Sequence, residues 1–230
     1  MKIILSHKVV NRRVVPPFGI NINYLRDADE NRSQARPLSD AIAAAGMRHL
    51  RYPGGSKSDA VLHMTPPFDR CVPQPKTTEY IRYSQEAHMM DFDKFMEICR
   101  RAGCEPHVVV GCDTFERRGV IMEEYLDNAI EWVRYANIVK GYRVKYWEIG
   151  NENWNDKGVS SSEFGKLAAR FSQAMKAIDP SILIGASGDS ASWWEGFLPE
   201  AVEDIDFLTV SQYSCWGYMS YDTYANNERG

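Results

Sequence analysis

The sequence predicts an α/β fold of repeated βα units. Three observations carry that expectation. Short β-prone runs recur at 18–22, 48–52, 106–111, 144–149, 182–186 and 206–212; amphipathic helical segments lie between most of them; and glycine or proline punctuates the helix ends at Gly46, Gly103 and Asp179-Pro180. With 230 residues, 44% of them hydrophobic, the chain can bury one substantial core, and no linker or low-complexity tract divides it. One domain over residues 1–230 is expected, with a short N-terminal β segment over 1–15 and six strands with their helices over 16–230.

Residues 2–15 hold two β-prone pieces, 3–5 and 9–15, with no helix between them, which predicts a hairpin packed outside the sheet. Pro16-Pro17 precedes the first strand. A helix over 37–45 is closed by Gly46 in the usual stop position, and 48–52 is the second strand. Proline-rich residues 53–86 read as a long loop. Phe92, Phe95, Met96 and Cys99 recur at helical spacing over 91–102, ahead of Gly103 and the third strand. The helix 123–139 sets Leu126, Ile130, Val133 and Ile138 near one face and feeds the strand 144–149, which ends on Gly150-Asn151-Glu152. A helix from Ser162 carries Phe164, Leu167, Phe171 and Met175 until Asp179-Pro180, because the residue before a proline leaves the helical region. The strand 182–186, a helix over 193–202 and the strand 206–212 complete the series. Six such strands fit either a doubly wound sheet or part of an eight-stranded barrel, and periodicity does not separate the two.

A formal net charge of −4 supplies no basic field for phosphates, so it speaks against nucleic acid and for a neutral substrate. The opening apolar residues are interrupted at Ser6, His7 and Lys8 before a leader-like stretch forms, and no run is long enough to span a bilayer; a cytoplasmic location with no membrane partner is expected. Cys71, Cys99, Cys104, Cys112 and Cys215 form an odd set without the spacing of a secreted disulfide framework, which fits a reducing compartment. Cys104, His107 and Cys112 lie close in sequence, but their spacing matches no zinc pattern and the segment reads as a buried strand. Neither metal nor cofactor is called for.

The chemistry concentrates in Lys145-Tyr146-Trp147-Glu148-Ile149-Gly150-Asn151-Glu152-Asn153-Trp154. A carboxylate just past the C-terminal end of a parallel strand stands where loops assemble the active sites of barrels, so Glu152 is the candidate general acid/base. Asn151 can donate to and accept from sugar hydroxyls, and Trp147, Trp154 and Trp216 offer aromatic faces to a sugar ring. On Gly-Asn-Glu alone, the plainer reading that Glu152 caps the following loop has the advantage.

Two ordered motifs change that weight. The stretch above resembles the strand-four signature of clan A retaining glycoside hydrolases, in which an Asn-Glu pair ends the fourth barrel strand and the Glu is the acid/base. Leu50-Arg51-Tyr52-Pro53-Gly54-Gly55 is similar to the strand-two motif of α-L-arabinofuranosidases. Residues 93–103 with Glu105-Pro106-His107, then Ala136-Asn137, then Asp179-Pro180-Ser181-Ile182 resemble the same family in order. The resemblance spans residues 17–216 and implies a (β/α)8 TIM-type barrel, incomplete at six units. Carried over by position, it implies Glu152 as proton donor to the leaving group and Asn151 as a ligand of the sugar 2-hydroxyl. Arg51 would hold the nucleophilic carboxylate ionised, with Gln212-Tyr213 close to the same group. Asn21, Trp154 and Trp216 are the remaining candidate substrate contacts. Plainer readings stand beside these: Arg51 pairs with an inward Glu148 inside the barrel, and Tyr213 is wall packing.

The chain also departs from the family. Relatives carry an acidic substrate-binding residue after strand one, where this sequence has Asn21 and Asn23, so the sugar stays open. Retaining glycosidases need two carboxylates about 5–5.5 Å apart, and the clan places the second on strand seven, beyond the six units expected here. Glu228, the last carboxylate of the sequence, lacks a preceding β-prone run. Three functions fit: a glycosidase completed by a carboxylate from elsewhere, a carbohydrate-binding module with little turnover, or a structural barrel fragment. An open barrel has two free sheet edges, with Ile20, Ile22, Leu208 and Val210 expected to line its inner face, which predicts a homo-oligomer joined through those edges.

Overall fold

The computed structural model describes residues 18–55, 58, 61–62, 66–68, 72–73, 88–112, 121–155 and 158–211. In chain order its elements are β1 (Gly19–Asn21), α1 (Leu38–Ala44), β2 (His49–Tyr52), β3 (Val61–Leu62), β4 (Val72–Pro73), α2 (Phe92–Ala102), β5 (Glu105–Val110), α3 (Met122–Val133), β6 (Tyr146–Ile149), α4 (Ser161–Ile178), β7 (Leu183–Gly188), α5 (Ala191–Ala201) and β8 (Phe207–Val210). The N-terminal segment expected over 1–15 lies outside the described residues. Residues 53–86, expected to be loop throughout, contain the short antiparallel pair β3–β4.

Six strands form one sheet in the order β1-β2-β5-β6-β7-β8, every neighbouring pair parallel. Chain order and sheet order coincide. A doubly wound sheet reverses direction at a switch point; this one progresses one way and curls into part of a barrel wall, as the motifs implied.

Strand parity divides the residues between two environments. Leu50, Tyr52, Val108, Val110, Trp147, Ile149, Ile184 and Ala186 are buried against the helices. Each such large apolar side chain contributes about 1.5–3 kcal/mol through removal from water. The alternate positions put His49, Arg51, His107, Tyr146, Glu148, Phe207 and Thr209 on the concave face. There His107, Tyr146 and Phe207 pack edge to face or stacked, with ring centroids 5.6–6.5 Å apart. Trp147 is therefore not a sugar platform. It is fully buried against Trp132, and its indole N–H donates to the Val144 carbonyl.

The edge residues correct a second expectation. Ile20 is level with Leu50 and Leu208 with Ala186, so both share the outer, helix-side face and not the inner one. They are 47% and 42% exposed, and Val210 at the rim is 62% exposed. Ile22, past the end of β1, is buried.

Local signals fix the helices. The Asp91 carboxylate accepts the Lys94 N–H at the start of α2, and Gly103 closes that helix at φ 67°. Ser160 and Glu163 form a capping box at the start of α4. Helix α3 departs from expectation: at Arg134–Val139 it widens into a π-helical turn. The extra residue per turn rotates the face, so Ile138 is exposed and not part of the core. Two clusters then hold β6 in place. The Asn137 amide donates to the Val144 carbonyl and to Asp179, and its oxygen accepts the Val144 N–H. Asp93 accepts from the Tyr135 and Tyr142 hydroxyls and lies 2.8 Å from Lys140 Nζ. Among the described residues no helix is long and apolar enough to cross a membrane.

Candidate active site

Strand β6 ends in a turn that requires its sequence. Gly150 has φ 68°, and a Cβ there would lie 2.0 Å from Asn153 Oδ1. Two residues on, Glu152 itself takes the left-handed conformation, φ 52°, which is unfavourable for a side chain of this kind. Its N–H donates to Ser187 Oγ at 3.1 Å, and its carbonyl accepts the Asn155 N–H. Across the sheet, the turn after β2 runs tight against the end of β1. At Gly54, φ 118°, a Cβ would sit 2.1 Å from the Ile22 carbonyl oxygen.

These turns border a cleft of about 380 Å³ at the C-terminal ends of the strands, lined by Asn21, Arg51, Gly55, Glu148, Asn151, Glu152, Ser187, Thr209, Val210 and Ser211. At its floor Glu148 is 1% exposed. Arg51 Nε donates to Glu148 Oε2 at 2.8 Å and Nη2 to Oε1 at 3.1 Å. The Thr209 hydroxyl donates to Oε1 at 2.8 Å, and His107 Nε2 lies 3.0 Å from Oε2. Burial by itself would push this carboxyl up. The Arg51 charge, the close His107 imidazole and the hydrogen bonds from Arg51 outweigh it and hold Glu148 down at about 2. Arg51 reaches further: Nη2 donates to Asn151 Oδ1 at 3.1 Å and Nη1 to Asn21 Oδ1 at 3.3 Å.

The structure thus places Asn21, Arg51, Asn151 and Glu152 around one cleft. Trp154 is half-buried in the turn after Glu152 and is not among the residues lining the cleft. Gln212, Tyr213, Trp216 and Glu228 lie outside the described residues. Asn23 faces its own turn, where its oxygen accepts the Leu25 N–H. Cys104, His107 and Cys112 diverge: the first contacts the Met47 carbonyl, the second turns to Glu148, and the third lies against Asn153. Ser187, Thr209 and the partnership of His107 with Glu148 were not singled out from sequence.

Residues 41–229 match the family model described as Alpha-L-arabinofuranosidase 1 domain. The chain belongs to this family. The arabinofuranosidase-family chain is 28% identical over 220 residues to the probable alpha-L-arabinofuranosidase C of Aspergillus fumigatus, a match covering 82% of this chain and 41% of that protein. It therefore spans about two-fifths of that relative's length. Among solved structures it resembles an alpha-L-arabinofuranosidase from Thermotoga maritima, with TM-score 0.58, 24% identity, and 75% of this chain and 38% of that one covered. It also resembles a family 51 alpha-L-arabinofuranosidase from Bifidobacterium longum, with TM-score 0.63, 19% identity, and 91% and 46% covered. At these identities the two structures speak to the fold, which in both cases contains this curled wall.

Proposed function

We propose that this chain carries the acid/base part of a glycoside hydrolase site for α-L-arabinofuranoside-like linkages. The supporting observation is the convergence of Glu152, Asn151, Asn21 and Arg51 on one cleft at the strand ends. Half-buried Glu152 donates a proton to the leaving oxygen and Asn151 holds a sugar hydroxyl. General acid/base assistance of this kind is worth about 10²–10⁴ in rate. Among the described residues lining the cleft, Glu148 is the one other carboxylate, and it is buried and already bound to Arg51 and Thr209, so it cannot approach a sugar carbon as a nucleophile. The described cleft therefore binds a sugar and supplies its proton, while a covalent step requires a second carboxylate from outside it.

The test is calorimetric titration with L-arabinose beside turnover of aryl α-L-arabinofuranosides, for wild type, Glu152→Ala and Asn151→Ala. Binding weakened by Asn151→Ala, with turnover close to background, is the expected result. No binding and no Glu152-dependent turnover would sink the reading. Robust turnover abolished by Glu152→Ala would keep the site and make Glu228 the first residue to test as the second carboxylate.

A further inference from the structure

Glu148 takes no part in the chemistry proposed above, yet it has four close polar contacts, spread over β2, β5 and β8. Two of them fix the plane of the Arg51 guanidinium, because a side-on pair through Nε and Nη2 leaves the group no freedom to rotate. The remaining reach of that plane falls on two amides. Nη2 donates to Asn151 Oδ1 and Nη1 to Asn21 Oδ1. An amide whose oxygen accepts from a guanidinium must turn its NH2 group the other way, since a guanidinium offers donors only.

We infer that Glu148 is a positioning residue which clamps Arg51 and, through it, fixes the side-chain amides of Asn21 and Asn151 with their carbonyls toward Arg51; a sugar in the cleft then meets the donor end of exposed Asn21, while the Asn151 nitrogen stays buried. The inference rests on the proposed sugar site and deepens it. The ligand chemistry that follows is an oxygen acceptor beside Asn21, such as a ring or glycosidic oxygen or the lone pairs of a hydroxyl. A carboxylate serves this role where a neutral residue would not. Ionised Glu148 accepts along both of its oxygens at once, and its burial keeps water from competing for those oxygens.

The alternative is that the pair only ties strands together. Two variants distinguish these. Glu148→Gln keeps the shape and removes the charge. Arg51→Lys keeps the charge balance beside Glu148 and cannot span both amides from one planar group. In the full chain, the side-chain NH2 resonances of Asn21 and Asn151, assigned through Asn→Asp variants, are expected to move in both. Resonances unchanged in a folded variant would overturn the inference. This arm involves no sugar, so it decides the matter even if L-arabinose fails to bind and the functional proposal falls. Should Glu148→Gln not fold, Arg51→Lys carries the same readout. With L-arabinose as probe, Glu148→Gln is expected to lose about tenfold to a hundredfold in affinity, the range for a charge-assisted contact. Its loss should be non-additive with that of Asn21→Ala; strictly additive losses would mean that Glu148 does not act through the amide.

Discussion

The two ends of the barrel wall each gather a carboxylate with several donors, in different surroundings. Toward the N-terminal end Asp93 binds Lys140, Tyr135 and Tyr142 beside an open groove of about 690 Å³, larger than the cleft and bordered also by Met96, Arg100, Glu105 and Arg143. At the C-terminal end Glu148 binds Arg51, Thr209 and His107 beneath the smaller cleft. Asp93 remains partly in water, and burial, which would raise it, is outweighed by hydrogen bonds from Lys140, Tyr142 and Tyr135, so its pKa falls below the usual value. The contrast teaches that a count of hydrogen bonds does not give their worth. A network open to water anchors a surface turn at small energetic stake, whereas a buried one loses heavily when any member is removed, and cavity size says little about which end holds the buried charge.

The largest expected effect breaks the buried network from one side. Arg51→Met leaves Glu148 uncompensated in the interior and should cost about 3–5 kcal/mol in urea unfolding. Arg51→Met combined with Glu148→Met should recover most of that. A single variant as stable as wild type would show that water reaches Glu148.

Next in size is the pH dependence. Glu148 is held at about 2 in the folded chain against an ordinary value of 4.5. The depressed pKa means that its contribution is fully present above about 4.5 and is lost as pH falls toward 2. It amounts to about 3 kcal/mol at one pKa unit per 1.36 kcal/mol. Thermal unfolding followed from pH 5 to pH 2 should show this loss in wild type and a flatter course in Glu148→Gln; parallel curves would remove Glu148 from the account.

Asp93→Asn, the matching change at the other end, should cost about 1 kcal/mol or less, because solvent screens the group. A loss equal to that of Arg51→Met would erase the distinction between the two ends. Smallest in stability is Ile20→Lys with Leu208→Lys at the two sheet edges. Neither side chain is buried, so unfolding should be nearly unchanged. If the exposed edges drive self-association, light scattering at micromolar concentration should show assemblies for wild type and fewer for the variant; a monodisperse wild-type monomer would remove that role.

Much of the fold was legible because parity and helical period report burial directly. Trp147 could have been placed outside the cleft from sequence, since it alternates with Tyr146 and Glu148. The same parity made an Arg51–Glu148 pair readable as one of two options. Ser187 and Thr209 were not legible: parity gives the face of a strand, while the level at which one strand meets the next is set by long-range pairing. The π-helical turn escaped for a related reason. A period of 3.6 was assumed through Ile138, and the inserted residue leaves no local mark beyond an apolar position that does not fit.

Glu152 occupies a left-handed backbone conformation that its side chain disfavours. Replacement by glycine would release about 1 kcal/mol of conformational strain while deleting the proposed proton donor. Selection for thermal endurance alone would thus erode the site from its centre outward. A stabilised library of this chain, screened without regard to sugar, should enrich glycine or asparagine at position 152. Persistence of glutamate there under selection for activity would measure how much stability the protein gives up to keep an acid in that place.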